Sequence, residues 1–372
     1  MISKMMGLVL WDLLSVLLCA PVLLAACPAR CECSEPALTV KCVSKDLQNI
    51  PTGIPGYTRN LFITGNHISR IGPESFKGLD NLTTLSLSNN GIRELESQAF
   101  SSLHSLLHLD LSSNQLTLIH PEAFVIPGGV LRELNLSGAL LHHSSGTDLA
   151  RSLRWGTLGE LRGLDLSGNG LAHLPSCMFS HLPSLRRLRL ANNSLVVLKN
   201  GTFSGLEWLE ELDLTRNSFR TFQGESLGEL EALPGAQLLL GQNPFTCSCS
   251  IGGFARWLNG SRGRVADAAR LVCAFPAELQ NTSLLETDEL ARACRAGQGA
   301  DLALQTSYVF LGVVLGFVGV VFLFVLYLNR KGIKRWMFDT RDACREALEG
   351  YHYRMEIDSD PRLAQVSTTS DL

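Results

Sequence analysis

Two pairs of closely spaced thiols are the most reactive groups in the chain: Cys31 and Cys33 in a C-x-C pattern, and Cys247 and Cys249 in the same pattern. Cys27 and Cys42 stand beside the first pair, and Cys273 and Cys294 follow the second. Each group of four has the ligand types for a tetrahedral zinc site or for a pair of disulfides. The compartment decides between them. Lys4 followed by an apolar stretch from Gly7 to Ala26, with small residues at Ala25 and Ala26, reads as a secretory leader over residues 1–26. Disulfides are therefore expected and zinc is not, although spacing alone leaves the pairing open. His142 and His143 are adjacent in a polar run with no cysteine or carboxylate pair nearby, so they read as solvated rather than metal-binding. No nucleophile with a base, metal cluster or phosphate loop is placed together, and the expected numbers of catalytic, cofactor-binding and metal residues are zero. Six N-x-S/T sequons, at Asn81, Asn135, Asn192, Asn200, Asn259 and Asn281, are glycan acceptors in an exported chain.

The elements that position these groups follow a period. Leucines at 61, 85, 109, 134, 164, 188 and 212 are separated by 24, 24, 25, 30, 24 and 24 residues, and the pattern L-x-L-x-x-N-x-L recurs around them, clearest at Leu85 and Leu109. Such a period means stacked units, here leucine-rich repeats forming an α/β solenoid, a horseshoe with one short strand per unit. Strand alternation turns leucines such as Leu164 and Leu166 inward and the residues between them outward. Asn66, Asn90, Asn114, Asn169, Asn193 and Asn217 fall where the chain leaves the strand, where an amide can satisfy the backbone of the adjoining turn. Phe76, Phe100, Phe124, Phe179 and Phe203 recur once per unit and are expected in the core on the convex side. The fourth unit breaks the pattern: Ala139 replaces the asparagine, and an irregular insertion is expected at 142–160. Cys177 is expected on the convex side as an unpaired, partly buried thiol.

Exposed apolar ends of a solenoid need covers, so 27–57 and 241–294 read as cysteine-rich caps around repeats at 58–240. A juxtamembrane linker at 295–307 leads to 21 uncharged residues, Tyr308 to Leu328, long enough to cross a bilayer. Arg330, Lys331, Lys334 and Arg335 follow at once, which predicts a single-pass type I protein with its N terminus outside. The tail, 329–372, is too short and polar for an enzyme domain. Its segment from Ile333 to Tyr351 has helical apolar spacing beside Arg335, Arg341 and Arg345, with Cys344 a candidate for acylation. Ser370, Asp371 and Leu372 fit the pattern read by a PDZ-domain protein. A net charge of −3 gives no reason to expect nucleic acid.

The cysteine groups resemble the flanks of secreted leucine-rich repeat proteins. That resemblance implies the pairs Cys27–Cys33, Cys31–Cys42, Cys247–Cys273 and Cys249–Cys294. A more specific likeness lies in LQTSYVFLG (304–312), LYLNRKGIKRW (326–336), RDACR (341–345), EGYHYR (349–354) and DPRL (360–363), none of them required by a generic repeat or membrane span. With TVKC (39–42), RNLFITGN (59–66) and the interrupted array, the chain resembles the trophoblast glycoprotein, or Wnt-activated inhibitory factor, family over nearly its whole mature length. It departs from the family in a short interruption, where mammalian members have a longer Ser/Pro-rich one, and in Leu372, where valine is expected. The resemblance implies inhibition of Wnt/β-catenin signalling at the plasma membrane, by interference with internalisation of a Wnt co-receptor of the low-density-lipoprotein-receptor-related family.

Alternation also nominates a surface. Lys41, Asn60 and Phe62 fall on the concave side at the N-terminal end, where Phe62 is an aromatic at a position that is mostly small or polar in other repeats. An exposed aromatic beside a cation is a common anchor for a partner; the alternative is that Phe62 packs under the cap. The second half carries Asp165, Arg187, Arg189, Glu211 and Asp213 on successive strands, expected to pair with one another. Asn135 should project from the concave face. The competing functional class is a cell-adhesion or synaptic-organiser protein binding a partner in trans.

Overall fold

The computed structural model describes residues 27–141, 145–286, 310–332, 334 and 341. The expected leader, His142, His143, Cys294, Cys344 and the C-terminal motif lie outside the described residues. Two compact units are present, Met1–Cys294 and Arg295–Leu372.

Among the described residues of the first unit thirteen short strands follow in chain order: β1 (Glu32–Ser34), β2 (Thr39–Val43), β3 (Asn60–Thr64), β4 (Arg70–Ile71), β5 (Thr84–Ser86), β6 (Glu94–Leu95), β7 (His108–Asp110), β8 (Leu118–Ile119), β9 (Glu133–Asn135), β10 (Gly163–Asp165), β11 (Arg187–Arg189), β12 (Glu211–Asp213) and β13 (Gln237–Leu239). Ten form one sheet in the order β1-β2-β3-β5-β7-β9-β10-β11-β12-β13. The hairpin β1–β2 is antiparallel and every later pairing in that sheet is parallel. A second, three-stranded sheet, β4-β6-β8, runs beside the first three repeats. In the large sheet the central leucines face one another in register, Leu61 through Leu85, Leu109, Leu134, Leu164, Leu188 and Leu212 to Leu238. All of them are buried. One coil cannot close such a column alone; each leucine is buried by its copies above and below.

Asparagines bind the coils together. Asn114 donates from Nδ2 to the carbonyls of Leu87 and Leu111, while its Oδ1 accepts from the amides of Asn90 and Ile92. Asn90, Asn193 and Asn217 repeat the donor half of the pattern, each to a carbonyl of its own coil and to one of the coil before. The ladder runs one coil beyond the expected six members, since Asn243 accepts from Asn217 and Phe219. Asp267 terminates it by accepting from Leu240 (3.1 Å) and Gly241 (2.7 Å). At the break, Ala139 has no side-chain amide to offer, and the Leu116 backbone amide instead donates to the Ala139 carbonyl at 2.7 Å.

Phenylalanines fill the convex side as two stacks. Phe76, Phe100 and Phe124 lie 6.0 and 6.2 Å apart, and Phe179 and Phe203 6.3 Å apart. The interval between the stacks holds helix α1 (Ser145–Trp155), where an irregular insertion was expected. Leu149 and Leu153, one turn apart, bury one face of it against the core, which accounts for a helix in so polar a segment. Gly156 ends it with a bond to the Ser152 carbonyl, and a Cβ there would lie 3.1 Å from Phe124.

A seven-residue helix, α2 (Glu225–Glu231), covers the last repeat. Its buried Glu229 carboxylate accepts from the Gly201 and Phe203 amides at 2.7 and 2.9 Å. Helix α3 (Gly252–Gly260) belongs to the C-terminal cap and buries Phe254, Ala255 and Leu258. Phe254 meets Phe222, Phe245 and Trp257. The structure contains the disulfides Cys27–Cys33, Cys31–Cys42 and Cys247–Cys273. Cys249 is an exposed thiol, and the cysteine expected to pair with it, Cys294, lies outside the described residues.

The second unit contains α4 (Phe310–Leu328), a helix of 19 residues with mean hydropathy 2.8. At 1.5 Å per residue it spans about 28 Å, long and apolar enough to cross a membrane. Arg330 lies over the Tyr327 ring at 5.5 Å. The two residues that the sequence reading placed ahead of it, Tyr308 and Val309, lie outside the described residues.

Candidate partner-binding surface

Two columns of side chains stand outward on the concave face. One runs Asn60, Thr84, His108, Glu133, Gly163, Arg187, Glu211, Gln237; the other runs Phe62, Ser86, Asp110, Asn135, Asp165, Arg189, Asp213, Leu239. Their register makes residues about 24 positions apart into neighbours roughly 4.8 Å from one another.

At the N-terminal end the structure brings together all three nominated residues. Lys41 faces Phe62 across β2 and β3, and Thr39 faces Asn60. Asn60 donates to the Thr39 hydroxyl at 3.3 Å. The three line one hollow with Thr39, Val43 and Thr64. Phe62 is half-buried on the outer face of β3, in a hollow whose other walls include the cap residues Glu32, Cys33, Ser34 and Ala37. Lys41 is exposed and forms no ion pair among the described residues; Glu32, its register partner across β1 and β2, lies 3.6 Å from Lys45. A free cation beside a partly exposed ring therefore lies at the mouth of the horseshoe. Phe62 also borders a second, central trough of about 590 Å³.

That central trough is lined by charges that answer one another. Glu133 reaches across the intervening strand to Arg187, at 2.5 Å, through the space left by Gly163. A Cβ at Gly163 would lie 1.9 Å from the Glu133 carboxylate, so the missing side chain is what lets the pair close. Arg189 sits 3.9 Å from Asp165 and 3.8 Å from Glu211. Asp110 accepts from the Ser86 hydroxyl and from the Ser112 amide. These groups satisfy one another, whereas Lys41 forms no ion pair among the described residues.

The remaining nominated residues are dispersed. Asn81, Asn192, Asn200 and Asn281 are exposed, Asn259 is half-buried on α3, and Asn135 stands on the concave face. Cys177, expected to be partly buried, is exposed, at a left-handed turn position, φ 57°, just ahead of the buried Met178 and Phe179. His142, His143, Ser370, Asp371 and Leu372 lie outside the described residues. Sequence reasoning missed the Glu133–Arg187 pair and the last rung of the ladder. For the latter a signal was present, since Leu238, Leu240 and Asn243 repeat the L-x-L-x-x-N pattern.

A parallel strand ladder closed by disulfide-bonded caps defines a leucine-rich repeat protein, with one helix among the described residues suited to a membrane. Two overlapping pairs of stretches, 57–116 with 81–141 and 159–219 with 183–245, match the family described as leucine rich repeat, and they leave α1 uncovered. Human trophoblast glycoprotein is 47% identical over 368 residues, which cover 95% of this chain and 87% of that protein. The rat trophoblast glycoprotein is 45% identical, covering 93% and 86%. The crystal structure of human 5T4 (Wnt-activated inhibitory factor 1, trophoblast glycoprotein) superposes with TM-score 0.65 at 38% identity, over 70% of this chain and 97% of that one. The chain belongs to the trophoblast glycoprotein family.

Proposed function

We propose that this protein is a plasma-membrane glycoprotein, single-pass with its N terminus outside, that inhibits Wnt/β-catenin signalling by interfering with internalisation of a Wnt co-receptor of the low-density-lipoprotein-receptor-related family. It works by binding, not by catalysis. The observation that carries the reading is exposed Lys41, which forms no ion pair among the described residues, beside half-buried Phe62 and Asn60, in a chain whose solved relative is named a Wnt-activated inhibitory factor. Elsewhere on the concave face the cations are already paired with acids. The co-receptor need not touch this surface directly; a bridging protein would use the same anchor. In the tail, Ser370, Asp371 and Leu372 are assigned to a PDZ-domain protein.

The test is a β-catenin reporter run with surface biotinylation of the co-receptor after Wnt stimulation, using the full chain and a chain lacking 336–372. The expected result is a lowered reporter and slowed co-receptor uptake in the expressing cell itself. An unchanged reporter, with expressing cells aggregating with naive ones, would favour adhesion in trans and overturn the proposal.

A further inference from the structure

One residue ahead of β9, β10 and β11 stand Arg132, Arg162 and Arg186, on the edge where the chain enters each strand. The Arg162 amide donates to the Arg132 carbonyl at 2.8 Å, and the Arg186 amide to the Arg162 carbonyl at 2.9 Å. The three are thus in file on adjacent rungs, spanning about 10 Å of backbone at about 4.8 Å per rung. All are exposed. Like charges on neighbouring rungs repel, and on the concave face this chain relieves such crowding by pairing Arg187 with Glu133 and setting Arg189 between Asp165 and Glu211. On the edge one acid answers the file: Glu210, on the next rung, takes Arg186 at 2.5 Å. Arg132 and Arg162 form no ion pair among the described residues, and neither does the nearby Glu160.

Beside the file lies a hollow of about 230 Å³, lined by Glu160, Arg162, Ser184, Arg186 and Trp208. Trp208 is 68% exposed, although Leu206 and Leu209 on either side of it are buried. Its ring therefore adds little to the core, unlike that of Trp257, which stacks on Phe254 in the C-terminal cap. A ligand suited to this edge brings several anionic groups in a row and a flat apolar face. Guanidinium forks grip tetrahedral oxyanions with two parallel hydrogen bonds, and an exposed indole offers its face to the apolar side of a sugar ring. The disulfides of both caps belong to an oxidising compartment, where polyanions built from rings are sulfated glycosaminoglycans. An acidic peptide would supply the charge, but the backbone of the file is already bonded rung to rung and presents no strand edge to it. With a net charge of −3 the chain as a whole does not attract polyanions, so binding would depend on this local file.

We propose that the edge formed by Arg132, Arg162, Arg186 and Trp208 binds a sulfated glycosaminoglycan, its sulfates on the guanidinium groups and one sugar ring on the indole. The proposal does not rest on the Wnt reading above, and its test does not use the reporter.

The test measures equilibrium binding of a heparin-derived oligosaccharide to the full chain purified in detergent, at about 0.15 M salt. Chemically desulfated heparin and a polyglutamate peptide are the competing probes. The expected result is binding of the sulfated oligosaccharide, weakened at least about tenfold by Arg132→Gln with Arg162→Gln and about threefold by Trp208→Ala. Arg256→Gln with Arg270→Gln, two exposed arginines of the C-terminal cap, should leave it unchanged. Absence of binding, equal binding of desulfated heparin, or full affinity in either the double variant or Trp208→Ala overturns the proposal. Preference for polyglutamate would make the edge a site for an acidic protein and overturn it too. Equal weakening by the cap variant would mean diffuse attraction to scattered arginines, with the same consequence.

Discussion

The two blocks of repeats share one scaffold and differ in what they display. From β3 to β8 the outward residues of the first three repeats are mostly hydroxyl, amide and aromatic, flanked by a second small sheet and backed by three stacked phenylalanines. From β10 to β13 the second sheet is absent among the described residues, the stack has two rings, and the concave charges close on one another. Between the blocks stand Ala139, α1 and a step of 30 residues between strand leucines. The contrast separates two jobs. Inward columns must be nearly identical in every coil, whereas outward columns are free to vary, and a surface whose charges are already answered is a weaker recruiter than one that leaves a cation free.

The largest expected effect lies in the phenylalanine stacks. Phe100→Ala removes the middle ring of three and should cost about 3–5 kcal/mol in urea unfolding of the ectodomain, with Phe203→Ala at the low end of that range. Equal losses would mean that the blocks are supported alike. Next comes Asn169→Ala, which strips the acceptor from the Ala139 and Leu140 amides at the border. A loss of about 1–3 kcal/mol is expected, with faster hydrogen exchange at those two amides; unaltered exchange there would show that the border is not held by the ladder. The smallest effect belongs to Gly163→Ala. It should push Glu133 off Arg187 yet change stability by less than about 1 kcal/mol, since the pair is partly solvated. A larger loss would make the charged trough a structural brace instead of a display.

Much of this was legible because inward columns repeat. Leu61 to Leu212, the six asparagines and the five phenylalanines announce the stack, and alternation in TVKC and RNLFITGN suffices to set Lys41 beside Phe62. Helix α1 was not legible, since only Leu149 and Leu153 mark its buried face and its stability comes from packing. Nor was the Glu133–Arg187 pair, which joins residues 54 apart in sequence and depends on the absence of a side chain at Gly163 between them. The exposure of Cys177 belongs to its repeat position: it stands two residues before Phe179 at a left-handed backbone angle, as exposed Gln98 stands before Phe100.

The central claim is that recognition belongs to the N-terminal end of the concave face and not to its charged centre. Two double variants test it in the β-catenin reporter, each checked for cell-surface expression: Lys41→Glu with Phe62→Ala, and Arg187→Ala with Arg189→Ala. The account predicts that the first variant reaches the surface and loses inhibition while the second retains it. Full inhibition by the first variant, with loss in the second, would contradict it.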